Sequence, residues 1–109
     1  MIERIQRRVA EIGMVGRLAH NLAKYRVGIS GAYTASEFLF EAENYMRERQ
    51  VPEDRIRAWM TQVKAQAAME EEFFITNGRF ADSTGGSSIY IGALIGPILD
   101  QLGYGGERI

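Results

Sequence analysis

Apolar and small residues step by three and four along the start of the chain: Ile2, Ile5, Val9, Ile12, Gly16, Ala19 and Ala23. That spacing is a heptad-like seam, and it predicts one long helix over residues 2–26. Past Gly13 the seam holds small residues, while Met14, Val15, Leu18 and Leu22 widen the apolar face. The first half should therefore pack through one stripe, and the second half should be nearly surrounded. Gly13 and Gly16 each weaken a helix by about 1 kcal/mol relative to Ala. Either another backbone approaches closely there, or the helix kinks.

Gly28, Ser30 and Gly31 are turn residues that end this pattern. Thr34 and Glu37 then stand three apart, the spacing of a capping box, and open a second helix that should run to about Arg49. Phe38, Ala42, Tyr45 and Arg49 form one row, with Leu39 and Met46 beside it. Pro52 suits the first position of a third helix, with Glu53 and Asp54 in its first turn. Ile56, Trp59, Met60, Val63 and Ala67 mark its inward stripe, and Asn77–Gly78 can cap its end. The link between these helices is short, so they should form an antiparallel hairpin.

Residues 79–88 read as a flexible connector, and residues 89–102 as an apolar segment. Ile91, Leu94, Ile95, Ile98, Leu99 and Leu102 have helical spacing, but Pro97 predicts a break into pieces 88–95 and 97–102. A strand over 88–95 is an alternative that would need pairing from another subunit. Gly92 and Gly96 make a Gly-x-x-x-Gly spacing, as found where membrane helices approach closely. The uncharged run ends at Asp100, short of the ~18–20 apolar residues that span a bilayer. The expected fold is all-α: a three-helix domain over 1–80, then a linker and docking segment over 81–109. That segment would pack on its own bundle or on a neighbouring subunit.

Composition narrows the chemistry. The 109 residues include no Cys, which excludes disulfides, thiolate metal sites and a cysteine nucleophile. The charged amino terminus lacks the apolar core of a secretory signal, so a cytoplasmic or virion location is expected. Net charge is −1, yet residues 1–28 carry six basic side chains against Glu3 and Glu11. Arg4, Arg7 and Arg8 are thus the candidate nucleic-acid contacts, although a pI of about 5.8 is not that of a dedicated binder.

No other constellation points to catalysis. His20 is the only histidine, and neither His-Glu-x-x-His nor Glu-x-x-His is present. It is expected at an interface or on the surface, with a pH-sensitive contact as the sharper reading. Glu70, Glu71 and Glu72 point about 100° apart on a helix and read as a wet face. No serine sits in Gly-x-Ser-x-Gly, and the stretch Thr84–Ser88 lacks the lysine of a phosphate-binding loop. Phe73 and Phe74 are adjacent, so one must meet a second element, for which the C-terminal segment is the candidate.

These observations predict a non-enzymatic structural protein without cofactor or metal. It would assemble into a homo-oligomer or a larger complex, such as a virion or secretion apparatus, through apolar helix faces. The expected partner contacts are Ile5, Val9 and Ile12, then Phe73, Phe74, Ile91, Leu94, Ile95, Ile98 and Leu99. The alternatives are a membrane-associated or pore-forming role for residues 88–102 and regulatory nucleic-acid binding through the first helix.

Overall fold

The computed structural model describes residues 2–29, 33–81 and 90–105. It contains four helices: α1 (Ile2–Val27), α2 (Ala35–Glu48), α3 (Glu53–Asn77) and α4 (Ile91–Gln101). Among the described residues there is no strand; of the stretch 88–95 read as a possible strand, residues 91–95 are helical, and 88 and 89 lie outside the described residues. Most of the expected connector lies outside the described residues.

Each helix boundary has a local cause. Thr34 Oγ1 accepts the Glu37 N–H at 3.0 Å, and a Glu37 carboxylate oxygen accepts the Thr34 N–H at 3.0 Å, which completes the capping box at the start of α2. Gln50 takes a left-handed conformation, φ 64°, where the chain turns after α2. Arg47 spans this turn, donating to Glu53 at 2.6 Å. The hydrogen bond from Arg47 holds the Glu53 carboxyl below its ordinary range. Pro52 caps α3 from just outside its first turn. At the other end Gly78, φ 74°, donates its N–H to the Phe74 carbonyl and stops the helix.

Helix α1 is the centre of the bundle and packs against each of the other three helices. It runs uninterrupted through Gly13 and Gly16. Ion pairs Glu11–Arg55 (3.2 Å) and Arg26–Glu71 (3.1 Å) show α1 and α3 running in the same direction. Arg7 donates to the Leu102 carbonyl at 2.9 Å and Arg17 to the Leu94 carbonyl at 3.4 Å, so α4 runs the opposite way along α1. One apolar core joins Met14, Leu18 and Leu22 of α1, Phe38 and Met46 of α2, Trp59 and Val63 of α3, and Ile95 and Leu99 of α4. The apolar C-terminal segment is therefore a fourth wall of its own chain's core.

Two expectations about α4 are corrected. Pro97 does not break it; the helix is continuous over Ile91–Gln101. Ala93 and Pro97 both lie on its exposed side, so the carbonyl that Pro97 cannot bond faces water. The Gly92–Gly96 spacing serves a contact inside this chain. A Cβ at Gly92 would stand 3.4 Å from the Tyr45 ring, and one at Gly96 would stand 2.8 Å from the Tyr45 hydroxyl. That hydroxyl accepts from Arg49 at 2.6 Å, and Arg49 also reaches Asp100 at 2.8 Å and the Tyr104 carbonyl at 3.1 Å. The two glycines let α4 lie close against α2 at this cluster.

Gly96→Ala should therefore destabilise the fold by about 1–3 kcal/mol, because overpacking outweighs the gain in helix propensity. Urea unfolding of the two proteins measures it; equal or higher stability for the variant would show that the close approach is not required.

Candidate contact surface

Burial divides α1 into two halves. From Met14 to Tyr25 most side chains are buried. From Ile2 to Val9 every residue is exposed, because this stretch projects beyond the level where Arg55, near the start of α3, meets Glu11. Among the described residues only the end of α4 comes alongside, where Arg7 satisfies the Leu102 carbonyl. The seam residues Ile2, Ile5, Val9 and Ile12 are 60 to 71 % exposed. Full burial of one such side chain contributes roughly 1.5–3 kcal/mol, and within the chain these four gain little of it.

The stripe leads into a groove of about 870 Å³ between α1 and α3. Gly13, Gly16, Arg17 and His20 form one wall; Gln62, Ala65, Gln66, Met69, Glu70 and Phe73 form the other, with Ala81 at one end. Gly16 continues the Ile5–Val9–Ile12 seam by helical spacing, so stripe and groove occupy one face of α1. The groove is open at Gly13 and Gly16, where α1 presents no side chain. A Cβ at Gly13 would meet no atom within 4 Å, and one at Gly16 would meet only the Gln66 amide at 3.7 Å. Neither glycine is demanded by a close contact among the described residues.

His20 is buried at the base of this groove, 5 % exposed. Its Nδ1 lies 2.8 Å from a Glu70 carboxylate oxygen, and its ring packs edge-on to Phe80, centroids 5.0 Å apart. This sharpens one expectation and corrects another: His20 is buried between α1 and α3 rather than on the surface, and Glu70 is not simply a solvated acid. Glu71 pairs with Arg26, and only Glu72 of the three is exposed. One carboxylate and one imidazole make a pair that ties α1 to α3. Among the described residues no group of three or more His, Cys, Asp or Glu is placed to hold a metal ion.

The expected contact residues divide in the same way. Ile5, Val9 and Ile12 are exposed and available to a partner. Phe73 is half-buried in the groove wall. Phe74 is met by Phe80, centroids 4.8 Å apart, rather than by the C-terminal segment, because the chain turns back at Gly78. Ile91, Leu94, Ile95 and Leu99 are buried in the chain's own core, with Ile98 packed against it, so they offer no free contact surface. Arg4 and Arg8 are exposed, whereas Arg7 is engaged by Leu102. The groove wall on α3 was not expected. Its signal is a second stripe at helical spacing, Ala58, Gln62, Ala65 and Met69, masked by its small and polar members. No described helix is long and apolar enough to cross a membrane.

Glu70→Ala should cost about 1–3 kcal/mol, since it strips a buried ring nitrogen of its partner, while Glu72→Ala should stay within about 0.5 kcal/mol. Chemical denaturation of both variants measures the difference; equal effects would contradict a structural role for the His20–Glu70 pair. No protein-family model, curated protein or solved structure matches the chain, so the geometry of this surface carries the functional reading.

Proposed function

We propose that this protein is a non-enzymatic building block of a homo-oligomer or larger protein assembly, and that it makes contact through the outer face of α1. The observation that carries this reading is the stripe Ile2–Ile5–Val9–Ile12, exposed on a projecting helix end. The four unburied β-branched side chains of this projecting stretch gain burial when a partner covers them. The arginines around the stripe suit the polar rim of such an interface.

The polar groups His20–Glu70 and the Arg49 cluster connect helices to one another.

Sedimentation equilibrium tests the proposal. The chain should sediment above its monomer mass of 12.3 kDa. A triple variant, Ile5→Ser, Val9→Ser and Ile12→Ser, should sediment as a monomer with its far-ultraviolet circular dichroism nearly unchanged. A wild-type monomer at about 100 μM, well above the micromolar range of a specific complex, would contradict the proposal.

A further inference from the structure

We infer that the surface is covered by a second copy of this chain, whose α1 lies antiparallel across the first about a two-fold axis near Ile12 and Gly13. This rests on the protein-contact reading above and names the partner and its register. The stripe and the groove are complementary halves of one face: isoleucines stand out at one end, and glycines leave space at the other. A two-fold rotation about their junction sets each half against the other, so a single symmetric contact covers both twice. Val9 of each copy then falls at Gly16 of the other, and Ile5 at the level of His20. Gly13 sits at the axis, where two backbones approach most closely. That accounts for a mid-helix glycine whose Cβ would meet no atom within 4 Å among the described residues of its own chain.

Charge favours the antiparallel arrangement. Arg4, Arg8 and Arg26 share one flank of α1 by helical spacing, and Arg26 reaches Glu71, so this flank faces α3. The His20–Glu70 pair and the Gly16–Gln66 approach set residues 66–70 of α3 beside residues 16–20 of α1. An antiparallel two-fold brings like flanks together. It carries Arg4 and Arg8 of one copy to the other's α3 near Glu70 and exposed Glu72, basic side chains meeting acidic ones. A parallel pairing would set the same arginines against the flank that holds Gln6 and Arg17. The four stripe residues, with Met69 at 70 % exposure, supply an apolar centre for an interface of about 800 Å² per partner.

The chain has no cysteine, so single cysteines report the register directly. Under mild oxidation Ile12→Cys should form a disulfide with its own copy. Ile5→Cys should not, because antiparallel helices separate the two positions by about 20 Å. An equal mixture of Val9→Cys and Gly16→Cys chains should give the mixed dimer. Gly13→Ala, read without cross-linking, should raise the thermal stability of the monomer yet weaken association about tenfold, a loss of about 1.4 kcal/mol. Particles larger than a dimer, self-cross-linking of Ile5→Cys, or unchanged association of Gly13→Ala would overturn this arrangement while leaving a protein-contact role standing. A 12.3 kDa monomer would overturn both, and a monomer that floats with anionic vesicles would assign the stripe to a lipid surface instead.

Discussion

The structure depends on how far α1 extends past the helices packed around it. Helix α1 has 26 residues, about 39 Å of helix, whereas α2 has 14 and α4 only 11. Together with α3, which starts near the level of Glu11, they surround much of the second half of α1, so most side chains from Met14 to Tyr25 are buried. They do not enclose the first half. The same helix is therefore the spine of the core and a projecting arm, and one sequence pattern serves both because the seam continues from isoleucine to glycine.

Close approach is the second recurrent device, and glycine supplies it in two different ways. At Gly92 and Gly96 the space is already filled by Tyr45 and Arg49 of the same chain. Those glycines are used in folding, and a motif that suggests membrane pairing becomes part of an ordinary helix contact. At Gly13 the space is open. An exposed mid-helix glycine costs helix stability and brings no packing in return within the monomer. The contrast separates glycines whose space is filled within the chain from one whose space is open among the described residues.

Much of the architecture was legible because it is local. The Thr34–Glu37 box, the glycine stop at residue 78 and the inward stripe Ile56–Trp59–Met60–Val63–Ala67 each depend on residues a few positions apart. What escaped was tertiary. The partner of His20 is Glu70, fifty positions away, and no spacing rule points to it. Pro97 was misleading because its cost depends on which side of α4 faces water, which only the packed bundle decides. Phe80 was within reach: an aromatic just beyond a left-handed glycine can fold back on the last turn, and Phe74 was waiting there. The exposed stripe had the right residues, Ile5, Val9 and Ile12, but their exposure followed only from where α3 starts along α1.

The central claim is that the arm of α1 is completed by another molecule. Amide hydrogen exchange followed as a function of protein concentration tests it most directly, because Gln6 to Ile12 and Leu18 to Tyr25 lie on the same helix and serve as probe and internal control. The account predicts that amides from Gln6 to Ile12 exchange rapidly in dilute solution and become protected as concentration rises, while those from Leu18 to Tyr25 stay protected throughout. Protection of Gln6 to Ile12 that is the same at every concentration would contradict it.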